Sequence, residues 1–462
     1  MRGSLAQLVA PLAGSRMTRN AQFEGVTTDS RTAPAGSLFV ALKGEKFDAH
    51  DFLDQVAQRG VAAVVVSRVP DGFPLPALVV PDTLVALGQI AHLWRSQFRI
   101  PLIGVTGSNG KTTVKEMIAA ILAAAHGEAD RLATAGNLNN EIGVPLTLMR
   151  LEAHHKSAVV ELGMNHPGEI GRLSAIAAPT VGLVNNAQRE HQEFMHTVEA
   201  VARENGCVLA GLPDDGVAVF PSDDEYSPIW QELTFARGRR RAFTFGFDAS
   251  ATVTCAHAAA DFGSTLDVAV RGDSPQRFTV RLQAFGVHNV RNALAATACA
   301  LAAGIGPEAI VRGLEAFAPV SGRLQRKTAQ CGATVIDDTY NANPDSVRAA
   351  IDVLAQYPAP RVLVLGDMGE VGTQGPEFHR EIGTYAASRG IETVLATGEL
   401  ARHLAASGAR HFEQFDELLA ALDHQLGSKS DATVLVKGSR FMKMERVVQH
   451  LIGTQHNGKD AH

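Results

Sequence analysis

The chain has 462 residues, 42 of them Lys or Arg and 48 Asp or Glu, a formal net charge of −6, and it is 45% apolar. That length suits two or three domains with sizeable cores, and the acidic balance argues against a protein held to nucleic acid through backbone phosphates. No apolar run reaches the roughly 18 residues of a membrane span, and Cys207, Cys255, Cys299 and Cys331 stand far apart with no CxxC, the pattern of core thiols in a reducing compartment.

Taken in order, the opening MRGSLAQLVAPLAGS has an apolar stretch interrupted by Gln7 and Pro11, so it reads as a first helix and not as a leader. The runs SLFVALKG (37–44) and VAAVVVS (61–67) are short and β-branched, with a helically spaced DFLDQVAQRG between them. They define a small α/β module over residues 1–98.

The second block, 99–319, alternates apolar strands with helices: PLIGV, SAVVEL, TVGLVNN and GVAVF. Continuous apolar strands separated by helices indicate a parallel sheet covered on both faces. Alternating stretches within 249–282, such as STLDVAVRG and RFTVRLQ, suggest an antiparallel addition, and NVRNALAATACALAAG reads as a helix ended by Gly304. The third block, 320–462, follows the linker APVSGRLQ and repeats strand then helix through ATVIDD, RVLVLGD, ETVLATG and ATVLVKGS. It reads as a Rossmann-like doubly wound domain that lacks GxGxxG at its first turn.

The most specific signal is GVTGSNGKTT (104–113), between the strand PLIGV and the helical KTTVKEMIAAILAAAHG. Val114, Ile118 and Ile121 share one helix face, and Gly127 is the expected stop. Glycines let backbone N–H groups converge on an anion, and the helix N-terminus adds positive potential. Gly107, Ser108, Asn109, Gly110, Lys111, Thr112 and Thr113 therefore form a candidate phosphate loop, with Lys111 reaching the β and γ phosphates and the Thr112 hydroxyl set for Mg²⁺. The pattern is a variant, G-x-x-G-x-x-G-K-T-T, because Val105 stands where GxxxxGKT has its first glycine. Glu161 ends one strand and His191 follows the next, both at the carboxyl edge beside this loop. Taken singly, Glu161 fits a ligand or a helix cap and His191 a surface histidine; together they point to a metal.

GVTGSNGKTT, VVELGMNHPGEI, NNAQREHQE, HNVRNALAA, GRLQ, DDTYNANPDS, LGDMGEVG and LVKGSR, with VTTDSRTAPAGSLFVALKGEKFDAHDF before them, resemble the Mur ligases of peptidoglycan synthesis. The resemblance runs in order over nearly the whole chain. It implies a small UDP-binding module, a central P-loop ATPase-type domain and a C-terminal domain that contacts ATP and the incoming substrate. GNLNNEIGVP and DDTYNANPDS resemble the branch that joins D-alanyl-D-alanine to UDP-N-acetylmuramoyl-tripeptide through an acyl phosphate and a tetrahedral intermediate.

By the same resemblance, ATP and Mg²⁺ are the cofactors. Thr112, Glu161 and His191 hold metal; Lys111, Glu161 and His191 are catalytic; and Asn289, Arg323 and Asp338 contact ATP. Ser30, Arg31, Lys43 and Gly44 meet the UDP sugar, Asn137, Asn139 and Asn140 the peptide, and Asn341 and Asn343 the dipeptide. Asn-Pro-Asp at 343–345 also has the composition of an N-cap. The enzyme is expected to be a cytoplasmic monomer. A ligase adding a different amino acid and a nucleotide-dependent switch protein are the alternatives.

One departure stands out. Many family members carry a carbamoylated lysine some 14 residues beyond the metal histidine. Here Asn205 occupies that place, and no lysine lies between Lys156 and Lys327. Glu204 is the expected substitute for the missing negative charge.

Overall fold

The computed structural model describes residues 1–260, 263–272, 274–427 and 429–453. Positions 261, 262 and 273 of the expected antiparallel addition, and 454–462 of the third block, lie outside the described residues.

Three sheets of four or more strands follow one another along the chain. The first has five strands: Val26–Thr27, Leu38–Val40, Ala63–Val66 and Ala77–Val79 run parallel, and Arg16–Met17 is an antiparallel edge. The opening residues are not all helix. Arg2–Ser4 pairs with Gln22–Glu24 as a two-stranded ribbon, and the helix runs only over Leu5–Val9. The module closes with the Thr83–Arg95 helix, capped by Asp82, whose carboxylate accepts from the Leu84 and Val85 N–H groups. This helix packs against the Glu169–Ala177 helix of the second block, so one apolar core, from Leu38 and Leu87 to Leu173 and Val160, is continuous across both.

The second sheet has nine strands. Arg131–Ala133, Ser157–Glu161, Leu102–Thr106, Val181–Val184, Val217–Pro221, Arg241–Phe245 and Val253–Ala260 are parallel; Gly263–Val270 and Gln276–Leu282 continue it antiparallel. The antiparallel addition thus extends the same sheet. Arg131–Ala133 and Arg241–Phe245 escape the sequence reading because neither is a continuous apolar run. The Lys111–His126 helix buries Val114, Ile118 and Ile121 as its spacing demands and stops at Gly127, whose φ is 101°. Gly104 belongs to the strand, where an added Cβ would meet Pro179 and Leu162, so its task is packing and not anion binding.

The third sheet orders Gln325–Thr328, Thr334–Asp338, Thr433–Lys437, Arg361–Leu365, Thr393–Thr397 and Arg410–Phe412, parallel apart from the first. The last residue of the expected linker is already strand. Of the four cysteines, all free, Cys299 is buried as expected, whereas Cys207, Cys255 and Cys331 are only half-buried. Among the described residues no helix is long and apolar enough to cross a membrane.

The phosphate-loop helix is fixed by a close helix contact. A Cβ on Gly313, in the Pro307–Ala316 helix, would lie 2.4 Å from Ile121 Cα and 2.6 Å from Ile121 N. Gly313→Ala gains about 1 kcal/mol of helix propensity, but overpacking against immovable backbone costs about 1–3 kcal/mol. The expected net result is a lower thermal midpoint, read by circular dichroism.

Candidate active site

A cavity of about 990 Å³ opens where the second sheet's carboxyl edge faces the third domain. The phosphate loop forms its floor. Gly107 and Gly110 have φ of 133° and 81°, and a Cβ on either would strike Asn185, Asn186 or Asn292 at 3.0 Å or less. Glycine is required at both for conformation and for space. The Lys111–His126 helix begins without a side-chain cap, which leaves its first N–H groups available to an anion.

The loop is held from the side by the segment after the Val181–Val184 strand. Ser108 N–H donates to the Asn186 carbonyl at 3.1 Å, and Asn109 N–H donates to Asn186 Oδ1 at 2.9 Å. Asn185 Nδ2 donates to the Asn109 carbonyl (2.8 Å) and to Asn292 Oδ1 (3.0 Å). Lys111 Nζ donates to the carbonyls of Gly107 (2.5 Å) and Ser108 (3.0 Å) and lies 3.2 Å from Glu190 Oε2. Asn185, Asn186, Gln188, Arg189 and Glu190 were assigned no role from sequence. Their signal was present, an amide- and charge-rich stretch immediately after a parallel strand.

Glu161, 2% exposed, ends its strand as expected. Its Oε1 accepts from Thr112 Oγ1 (3.2 Å) and Asn139 Nδ2 (2.9 Å), while its Oε2 is buried without a partner. Glu190 Oε1 is likewise buried and unpartnered. Among the described residues no three His, Cys, Asp or Glu side chains converge tightly enough to hold a metal alone. Bare carboxylate oxygens beside a threonine hydroxyl nevertheless suit a hard cation that takes its other ligands from phosphate and water.

His191 and Glu370 meet across the domain boundary, Nδ1 to Oε2 at 2.6 Å, close enough for an ion pair though outside hydrogen-bonding alignment. Both have left-handed backbones, with φ of 49° and 57°, a strain that persists only where the surroundings impose it. Contact with His191 holds the Glu370 carboxyl below the usual range. Nearby, Arg323 Nη2 donates to Thr112 Oγ1 at 2.9 Å and its guanidinium stacks on Tyr340. Asp338 accepts from Lys437 Nζ at 2.5 Å and from Leu324 N–H at 3.2 Å. Lys437 is a further cavity residue that the sequence reading left without a role.

Asn139, Asn140, Asn289, Asn341 and Asn343 also line the cavity. All five are engaged: beyond the Asn139 bond to Glu161, Asn140 Oδ1 accepts from the Ile142 and Gly143 N–H groups and Asn341 Oδ1 from the Ala342 N–H. Asn289 donates to the Phe285 carbonyl and accepts from Asn292. Asn343 caps the Pro344–Leu354 helix through Ser346 N–H (2.8 Å) and donates to Asn109 Oδ1 (2.9 Å). Ser30, Arg31, Lys43, Gly44 and Asn137 lie outside this cavity's lining. Arg31 is exposed and forks onto Asp29, whose carboxyl it holds down at about 2. Gly44 N–H donates to the Phe47 carbonyl in a turn.

The expectation for Glu204 is overturned. Its two oxygens accept from Gly168 N–H and Ile170 N–H, both at 2.8 Å, so it caps the Glu169–Ala177 helix and lies outside the cavity's lining. A helix N-terminus attracts a buried carboxylate strongly, through free N–H groups and the dipole. Asn205 is fully buried and accepts from Thr106 Oγ1 at 2.6 Å.

Residues 22–95 match the Mur ligase family, catalytic domain; residues 105–300 match the Mur ligase middle domain; and residues 322–440 match the Mur ligase, glutamate ligase domain. The UDP-N-acetylmuramoyl-tripeptide–D-alanyl-D-alanine ligase of Escherichia coli K12 is 40% identical over 98% of this chain and 99% of its own length. The chain belongs to the Mur ligase family. The Mur ligase of the same name from Haemophilus influenzae is 41% identical over 97% of each chain. Among solved Mur ligases, MurF from Acinetobacter baumannii superposes with a TM-score of 0.91 at 33% identity, covering 98% of this chain and 99% of that one. MurF from Thermotoga maritima in complex with ADP gives 0.82 at 25% identity, covering 93% and 97%. The three-domain α/β architecture of this Mur ligase and its use of ATP follow.

A guanidinium clamp holds its second and third domains together. Arg189 forks onto Asp345 (2.6 Å) and Glu381 (2.7 Å) and lies over the Phe378 ring. Burial opposes the Arg189 charge, but the two carboxylates more than offset it, and Arg189 in turn holds Glu381 below the usual carboxyl range. A depressed Glu381 contributes stability above its unfolded value that is lost as pH falls through the folded one. Small-angle scattering should therefore give a constant radius of gyration from pH 8 to 5, with opening only below about pH 4. Glu204→Gln, which removes one of two charged cap bonds, should cost about 1–2 kcal/mol of stability and leave the Mg²⁺ dependence of activity unchanged.

Proposed function

We propose that this chain joins D-alanyl-D-alanine to UDP-N-acetylmuramoyl-tripeptide in the cytoplasm, consuming ATP and giving UDP-N-acetylmuramoyl-pentapeptide, ADP and phosphate. The observation that carries the reading is the single cavity in which the phosphate loop, Glu161 and His191 face the Asn341–Asn343 turn, Asp338 and Lys437 of the third domain. Support comes from relatives named for this reaction that match along essentially their full length.

The chemistry requires a carboxylate to attack a phosphorus while two anions are forced together. Lys111 and the uncapped helix N-terminus supply the opposing positive potential, and Arg323 adds a second cation from the third domain when the cleft is closed. Thr112, Glu161 and His191 are the residues to hold Mg²⁺, which when bound neutralises the triphosphate and the carboxylate. The carboxylate oxygen then displaces ADP from the γ-phosphorus. The dipeptide amine adds to the acyl carbon, and phosphate leaves with that oxygen as the amide forms. In this reading Asn139, which donates to Glu161, and its neighbour Asn140 take the peptide of the first substrate, together with Asn137 of the same loop.

Asn341 is exposed in the cavity, with its Oδ1 accepting from the Ala342 N–H and its amide nitrogen left to read the dipeptide, whereas Asn343 acts by fixing the turn that carries it. In the same reading, Asn289 and Asp338 bound the nucleotide, and Ser30, Arg31, Lys43 and Gly44 take the UDP sugar. Closure brings the two halves into register, and positioning of this kind is worth a large part of the barrier.

Two measurements test the reading. Tripeptide carrying ¹⁸O in its terminal carboxyl should pass the label to inorganic phosphate, and phosphate should appear only when ATP, the UDP-tripeptide and the dipeptide are all present. Unlabelled phosphate would exclude acyl activation, and rapid ATP hydrolysis with neither substrate present would favour a nucleotide-dependent switch instead. Lys111→Ala should lower kcat on the order of 10²–10³-fold.

A further inference from the structure

The cavity holds one buried carboxylate for which neither the sequence motifs nor the proposed chemistry has a use. Glu190 is 7% exposed. Its Oε2 lies 3.2 Å from Lys111 Nζ and 3.7 Å from His191 Nε2, and its Oε1 is buried with no hydrogen-bond partner. A buried carboxylate is costly unless both oxygens are satisfied. Lys111 satisfies one side only, and it is the group whose charge a triphosphate would draw away.

We propose that Glu190 is the anionic ligand of a second Mg²⁺, shared with His191, and that it carries the negative charge for which position 205 has no lysine. The proposal rests on the reading that Glu161 and His191 bind metal. Three observations single out Glu190. It contacts Lys111 as Glu161 contacts Thr112, so each of these two adjacent phosphate-binding residues has beside it a carboxylate with one unpartnered oxygen. The other nearby carboxylates are committed elsewhere: Glu204 caps a helix, and Glu370, 44% exposed, is paired with His191 Nδ1. Asn205, neutral and buried, is bonded to Thr106 and offers no charge. A hard cation taking one or two carboxylates together with phosphate oxygens and water matches this donor set.

The test is a titration of the full-length enzyme with Mn²⁺ in the presence of β,γ-methylene-ATP, followed by electron paramagnetic resonance. Wild type should bind two Mn²⁺. The isosteric Glu190→Gln should weaken the second site by about tenfold or more and leave the first intact. Glu190→Asp should retain both, which separates loss of a ligand from loss of fold. Glu161→Gln should weaken the first site. Wild-type affinity at both sites in Glu190→Gln, with a weakened site in Glu161→Gln, overturns this inference alone. No change in either variant overturns the underlying metal reading as well.

Discussion

Two hydrogen bonds from the Ser108 and Asn109 amides to Asn186 fix the site. A glycine-rich turn is conformationally permissive, and its entropy works against any single shape. Asn186 removes that freedom by taking two of the turn's N–H groups, while Asn185 takes a carbonyl and ties the turn to the Val287–Ala302 helix through Asn292. The first N–H groups of the Lys111–His126 helix are left for an anion, where a phosphate gains from both the hydrogen bonds and the dipole.

The same short segment then turns outward and governs the domain boundary. Within six residues of Asn185 lie Glu190 against Lys111, Arg189 against Asp345 and Glu381, and His191 against Glu370. Loop placement and domain closure therefore share one piece of backbone, and a left-handed residue, His191, is tolerated at its end. Asn109 adds a direct amide pair to Asn343, the cap of the helix that begins the third domain's wall. The contacts are polar and partly exposed, the kind that opens and recloses around substrates more readily than an apolar seam. By contrast, the first and second domains share a continuous apolar core.

Much of the fold was legible because buried parallel strands need long β-branched runs and their helices need a 3.6-residue apolar stripe. Leu102–Thr106, Ser157–Glu161, Thr334–Asp338 and Thr433–Lys437 stood out for that reason. Edge strands such as Arg131–Ala133 and Arg410–Phe412 are short and partly polar, because only one neighbour and part of one face cover them. They carry no periodic signal.

For the site, local sequence determined what depends on local backbone: the glycines at 107 and 110, the lysine and threonine at the helix start, Glu161 at a strand end, and Asn343 as a cap. Tertiary structure alone decided which charges meet. Glu204 and Glu190 are both acidic residues near His191 in sequence, yet one is turned onto a helix N-terminus at Gly168 and Ile170 and the other onto Lys111. Hydrogen bonding within an element follows from its own residues, whereas the partner of a buried charge is set by whichever distant segment packing brings within about 3 Å.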